Sequence, residues 1–366
     1  MTMYQKQQQP WSIISVLTIR SIVVFLLLSA CTRAEARKQT PAATTPIDWK
    51  QVDQAMGKTG AMQPGSVYKY SFPRTDLHVR IGTVLLKAGF ALGTHVEFLS
   101  MGSRAMVMGD LVLTEDEVNG VITTLQQEGI QQTAFHNHLL GETPRLMYLH
   151  LEGQGDPVQL ARGIHAALTQ TKTPLTQPPS SGQPQQIDLD TRQLDAILKY
   201  HGKATNGVYQ FSIPRTEKIT DDGVDIPPAM GTAMAINFQP TGTGKAAITG
   251  DFPLIGKEVP AVLRTLREHG IEVTALHSHM LNDSPHLFYL HFWANDEAIK
   301  LAQGLRAALD QTKSAQAPSS CLNLCDVRPV LLTKRISFQF DRQLEHLHDR
   351  GKWEPNQGDA ERSVDQ

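Results

Sequence analysis

"MGDLVLTEDEVNGVITTLQQEGIQQTAFHNHL", residues 108–139, decides how this chain folds. "MGDLVL" reads as a short strand. "TEDEVNGVITTLQQEG" then supplies a Thr N-cap, acidic residues in the first turn, apolar positions at helical spacing and Gly129 at the stop. "TAFHNH" returns to strand alternation. The same strand-helix-strand order recurs as "TGDFPLIGKEVPAVLRTLREHGIEVTALHSHM", residues 249–280.

The likeness extends outward in both directions. "IDWKQVDQAMGKTG" from Ile47 recurs as "IDLDTRQLDAILKYHG" from Ile187, and "VYKYSFPRTD" from Val67 as "VYQFSIPRTE" from Val208. From the Val-Tyr pair to the closing "AALTQTK" and "AALDQTK" the copies align without a gap, which marks a tandem duplication of a domain-sized unit. Each unit reads as an opening amphipathic helix, strands around Val67 to Phe72, Val79 to Leu86 and Val96 to Met101, the strand-helix-strand stretch, a hairpin, and a closing helix with Asp156 near its start in the first copy. The expected fold is α+β: two tandem homologous domains, each a mainly antiparallel sheet with helices packed on one face. The domains span 47–172 and 187–313, and the Pro-, Gln- and Ser-rich segment 173–186 is the linker. Strand order does not follow from the sequence.

The hairpin carries the chemistry. "TAFHNHLLGETPRLMYLH", 133–150, holds His136, His138 and His150, and "TALHSHMLNDSPHLFYLH", 274–291, holds His277, His279 and His291. Strand alternation puts His136 and His138 on one face, with Phe135, Asn137 and Leu139 on the other. A turn centred on Thr143 pairs His136 with His150 and His138 with Tyr148, so three imidazoles converge within each repeat. Three neutral imidazoles with an open position suit Zn, Cu or Ni, in a catalytic or an exchangeable site. The competing reading is a hydrogen-bonded structural network of half-buried histidines.

Carboxylates that recur in both copies are candidates for orienting the rings: Asp110 and Asp251, Glu117 and Glu258, Glu142 and Asp283. His95 and Glu97 in "GTHVEF" have no counterparts in the second copy, so the two sites differ if these residues contribute. Arg74 and Arg215 are expected to form exposed ion pairs with Asp76 and Glu217, rather than to bind an anionic ligand. Gly109-Asp110 and Gly250-Asp251 read as turn or bulge chemistry. "PTGTGKAA" at Pro240 lacks the spacing and setting of a phosphate loop, and neither a serine elbow nor a Cys-His nucleophile is visible.

The rest of the chain bears on location. In its 366 residues, 34 basic and 36 acidic side chains give a formal charge of -2 with no long single-sign run, which argues against a nucleic-acid partner. Residues 1–31 have the order of an export signal: Lys6 and Arg20, the apolar run Ser21 to Leu28, then Leu28-Ser29-Ala30-Cys31, which matches a bacterial lipobox. Lipidation of Cys31 would anchor the protein to a membrane, with residues 32–46 as a tether, and Thr32 after the cysteine points to the outer membrane, facing the periplasm. An uncleaved anchor from Trp11 to Ala30 is the alternative, at the cost of Arg20 in mid-span. Cys321 and Cys325 are free to pair with each other or with another chain, but so small a loop would stabilise little. The tail 314–366 lies outside the duplication and reads as a disordered extension or an altered reading frame; its His346 and His348 read as solvated.

"MGDLVLTEDEVNGVITTLQQEGI" followed by "TAFHNHLLGETPRLMYLH" resembles the LppY/LpqO family of bacterial envelope lipoproteins, and the likeness covers both copies, from Ile47 to Lys313. It implies a duplicated domain, export and lipidation, but no activity. "LIGKEV" and "HSHMLNDSPH" depart from the pattern, which implies a weaker or altered second site. Two functions follow as expectations. One is an envelope lipoprotein binding a transition metal through its histidine hairpins, for storage, sensing, or hydrolytic or redox chemistry. The other is a non-enzymatic binding or assembly module.

Overall fold

The structure, a computed structural model, describes residues 46–176 and 186–315. The lipobox with Cys31, the tether up to residue 45, most of the linker, Cys321, Cys325, His346 and His348 lie outside the described residues.

The first repeat runs α1 (Trp49–Met56), β1 (Ala61–Gln63), β2 (Val67–Pro73), β3 (Arg80–Ile81), β4 (Val84–Leu85), β5 (Gly93–Met101), β6 (Arg104–Thr114), α2 (Val118–Gln127), β7 (Gln131–His136), β8 (Glu142–Thr143), β9 (Leu146–Gly155) and α3 (Pro157–Leu168). The second runs α4 (Thr191–Leu198), β10 (Lys203–Thr205), β11 (Val208–Ile213), β12 (Thr220–Asp221), β13 (Val224–Asp225), β14 (Met234–Gly242), β15 (Lys245–Ile255), α5 (Val259–Glu268), β16 (Glu272–His277), β17 (Asp283–Ser284), β18 (Leu287–Glu297) and α6 (Ala298–Leu309). Each repeat forms an antiparallel six-stranded sheet, in the orders β1-β2-β5-β6-β9-β7 and β10-β11-β14-β15-β18-β16. Each also has a three-stranded sheet, β4-β3-β8 or β13-β12-β17.

Strand alternation divides each large sheet into two faces. Along β2, Tyr68, Tyr70 and Phe72 join Val52 and Met56 of α1 and Ile164 and Leu168 of α3 in one apolar cluster. In the second repeat, Phe211, Phe238 and Phe252 pack likewise with Leu198 of α4 and Leu305 of α6. Full burial of such side chains contributes about 1.5–3 kcal/mol each. The helices therefore cover one face of each sheet, as expected.

The opposite faces turn toward the other repeat. Val84, Leu86 and Phe90 of the first repeat cluster with Val208, Ala247 and Trp293 of the second. Met106 and Met108 cluster in return with Ile219, Ile226 and Met230. Buried Gln239 ties the arm down by accepting from Lys87 N–H and donating to the Leu85 carbonyl, both at 2.8 Å. Each repeat thus lays an arm on its neighbour's sheet.

Several expectations need correction. Val79 to Leu86 is not one strand but a tight pair, β3 and β4, that turns at Gly82, whose φ is +55°. "MGDLVL" lies inside the eleven-residue strand β6. Helix α2 starts at Val118, without a Thr cap, because the Glu117 carboxylate accepts the Thr114 N–H and keeps that residue in the strand end. The gap-free alignment fails at one strand: His95 pairs with Ser71, whereas Ala235 pairs with the equivalent Ser212. This one-residue offset is absorbed by an irregularity between Pro240 and Gly242. Ala235 and Asn237 therefore stand where the first repeat has His95 and Glu97.

Candidate metal centre

The predicted hairpin register is wrong by two residues. His136 pairs with Tyr148, and His150 with Ala134, across an irregularity between Gln132 and Ala134. The connection is no simple turn, because Glu142 and Thr143 form β8 and pair with β3. His138 lies beyond the end of β7 in the loop that follows. The second repeat repeats this geometry, with His277 opposite Tyr289 and Ala275 opposite His291.

The imidazoles do converge within each repeat, with ring centroids about 5 Å apart, and the two sets also meet each other between the repeats. His136 stacks on His277 with ring centroids 3.6 Å apart, His138 lies 4.1 Å from His291, and His150 lies 3.7 Å from His279. These pairs obey an approximate twofold relation that exchanges the repeats. His138 also stacks on Tyr148, and His279 on Tyr289, each at 3.4 Å. The Tyr148 hydroxyl donates to the Ala91 carbonyl at 2.7 Å, which fixes the ring beneath His138.

Coordinating atoms of His136, His277, His279 and His291 all lie within 4.8 Å of one another. Tetrahedral Zn–N bonds of 2.0–2.1 Å require about 3.3 Å between donors, so the widest of these separations would have to shorten by up to about 1.5 Å for the four to share one ion. The His291 Nδ1–H donates to the Gly250 carbonyl at 3.0 Å, which leaves its lone pair on Nε2. That Nε2 is buried without a hydrogen bond, as are Nε2 of His136 and Nδ1 of His277. His279 and His277 face each other Nε2 to Nε2 at 3.0 Å, a contact that one proton satisfies.

Burial keeps these rings neutral. It pushes His136 down to about 4, and His277, with the help of His136, to about 3. His138, His150, His279 and His291 are pushed well below the usual imidazole range, first by burial and then by neighbouring imidazoles. Neutral imidazole is the form that ligates metals.

Of the candidate carboxylates, only Asp110 and Asp251 reach the rings. Asp110 Oδ2 is 3.5 Å from His138 Nε2 and 3.8 Å from His150 Nε2, and Asp251 Oδ2 is 3.7 Å from His279 Nε2. Burial raises Asp110 to about 6, and burial together with Asp110 raises Asp251 well above its usual value. The turn reading of the Gly-Asp pairs is overturned, since Asp110 and Asp251 sit mid-strand. The glycines answer a close approach instead: a Cβ on Gly109 would lie 2.9 Å from the His95 carbonyl oxygen, and one on Gly250 2.1 Å from that of Ala235.

Glu117 and Glu258 serve a different role. Each accepts from a buried arginine, Arg74 or Arg215, at 2.8–3.1 Å and from two backbone N–H groups. Arg74 and Arg215 do bind Asp76 and Glu217, but the expected surface pairs prove to be buried networks with a second carboxylate. Sequence reading missed this because each glutamate follows its arginine by 43 positions. Glu142 and Asp283 accept the Leu146 and Leu287 N–H groups in the small sheets, and Asp283 also pairs with His286, which is not one of the six clustered histidines.

A cavity of about 810 Å³ opens between the two large sheets and reaches His138, His150, His279 and His291. On the first repeat's wall, Glu97 bonds Lys69 at 2.7 Å and His95 at 2.9 Å. Gln210 and Asn237, bonded at 3.0 Å, occupy the equivalent wall of the second.

A domain-family profile matches residues 50–170 and again 192–311, and the family is described as Domain of Unknown Function (DUF1259). The chain belongs to this family. It carries the DUF1259 domain twice, and the duplicated α+β fold read from the sequence agrees with that match. No curated protein matches the chain. Among solved structures, a trimeric bacterial microcompartment shell protein, PduB, is similar over 70% of this chain and 96% of its own, at 13% identity and a TM-score of 0.19. EtuB from Clostridium kluyveri is similar over 68% and 90%, at 8% identity and a TM-score of 0.17. Superposition this weak adds nothing to the functional reading.

Proposed function

We propose that this duplicated DUF1259 chain binds a transition ion such as Zn, Cu or Ni between its repeats, through His136, His277, His279 and His291. One observation carries the reading: buried, neutral imidazoles meet with lone-pair nitrogens that have no hydrogen-bond partner. A purely structural network would leave those atoms uncompensated at about 1–3 kcal/mol each. The His277–His279 hydrogen bond favours the structural alternative, but it accounts for only two of the rings. The test is elemental analysis of protein isolated without chelator. A stoichiometric ion that is lost in the His136→Ala/His277→Ala double variant supports the reading, and a chain that takes up no ion after dialysis against Zn(II) overturns it.

We further propose that the protein is an envelope lipoprotein of the LppY/LpqO type, anchored through Cys31. The lipobox order and the motif likeness support this placement. Intact mass measurement tests it: an acylated Cys31 N-terminus, and release from membranes by Cys31→Ala, are the expected results.

A further inference from the structure

We infer that a second ion binds at Asp110, His138 and His150, which makes the centre dinuclear. This rests on the metal reading above and extends it, because the four imidazoles of the first site leave these three donors unassigned.

Donor number is the first argument. Six imidazoles and two carboxylates exceed what one tetrahedral ion takes, and a structural ion is satisfied by four ligands. The centre holds enough for two.

Geometry is the second argument. Asp110 Oδ2 stands 3.5 Å and 3.8 Å from the Nε2 atoms of His138 and His150, too far for good hydrogen bonds. Both Nε2 atoms are buried and lack a hydrogen bond, as does Asp110 Oδ1. Donors that share an ion at 2.0–2.2 Å lie about 3.3–3.5 Å apart, so both Asp110–imidazole separations are within about 0.5 Å of ligand spacing.

The third argument is the contrast with the second repeat. There His291 turns Nδ1 to Gly250 O, and Asp251 Oδ1 lies 3.9 Å from that same nitrogen, on the protonated side of the ring. Asp251 Oδ2 also lies 3.7 Å from Nε2 of His279, so Asp251 faces one Nε2 atom, already assigned to the first ion, whereas Asp110 faces two that are unassigned. Asp110, His138 and His150 all line the interior cavity, so a fourth coordination position opens toward a small molecule with an oxygen donor.

The test titrates Zn(II) into the chelator-stripped full chain in detergent by calorimetry, with elemental analysis after dialysis. Two ions per chain are expected in the wild type and one in Asp110→Asn and in His150→Ala. The ion that remains should be lost when His277→Ala/His279→Ala is added. Circular dichroism checks folding, and the nearly isosteric Asp110→Asn carries the test if His150→Ala unfolds. A wild type that holds one ion, or an Asp110→Asn variant that still holds two, overturns the second site and leaves the first standing. No ion in any variant overturns both.

Discussion

The two walls of the interior cavity began as copies and now differ. In the first repeat Lys69, Glu97 and His95 form a charged triad; in the second Gln210 and Asn237 form an amide pair, and Ala235 replaces the second imidazole. The six clustered histidines are matched one for one. The difference separates two roles: the histidine centre needs both repeats at once, because each ring stacks against the other repeat, while each wall belongs to a single repeat and was free to diverge. β14 contains neither a histidine nor a glutamate, so the charged wall is lost by substitution and not by the one-residue offset alone.

The largest expected effect compares the buried arginines. Arg74→Met leaves Glu117 buried without its cation and should cost about 3–5 kcal/mol in chemical denaturation. Arg215→Met should cost about 1 kcal/mol less, because the Arg215 Nε has no hydrogen bond to lose, whereas the Arg74 Nε donates to Asp76. Equal losses would break the comparison.

Next come the glycines of the central strands. Gly250→Ala should cost about 3 kcal/mol and Gly109→Ala about 1 kcal/mol, since the Ala235 carbonyl oxygen lies 2.1 Å from the new Cβ and the His95 oxygen 2.9 Å. Matching denaturation midpoints for the two variants would show that β14 relaxes as readily as β5.

A smaller effect is pH-dependent. Glu152, on the first repeat, lies against Asp221 of the second, and burial together with that neighbour pushes it up to about 8. The folded state therefore holds a proton that the unfolded chain releases near pH 4.3, so stability falls as pH rises from about 4.3 to 8. Glu152→Gln should flatten that slope, and an unchanged slope would mean that the two carboxyls are not coupled.

Smallest is the mirror case on the charged wall. Burial pushes Glu97 up, but His95 and Lys69 outweigh it and hold the carboxyl at about 2. Its contribution is present above about pH 4.3 and lost as pH falls toward 2. Glu97→Gln should remove this acid-side loss. Asn237→Asp, at a position that pairs with Gln210 and Thr249 rather than with a cation, should destabilise the protein by about 1 kcal/mol at pH 7.

Much of this was legible in the sequence. The duplication, both closing helices, the Asp156 cap and all six histidines follow from local pattern, because periodicity and capping depend on neighbours a few positions away. The partition of the rings was not legible. Pairing His136 with His277 depends on how two sheets face each other, and no spacing within one repeat encodes that. The Arg74–Glu117 pair was hidden for the same reason, and the one-residue offset of β14 is masked because an irregularity later restores the register.

The reciprocal arms have a consequence for how the chain is held together. Because Phe90 packs on Trp293, Lys87 and Leu85 bond Gln239, and Met108 packs with Ile219 and Met230, the covalent join between the halves is not what keeps them in place. Two separately expressed polypeptides, cut between residues 176 and 186, should find each other and rebuild the shared interior, as a split protein does.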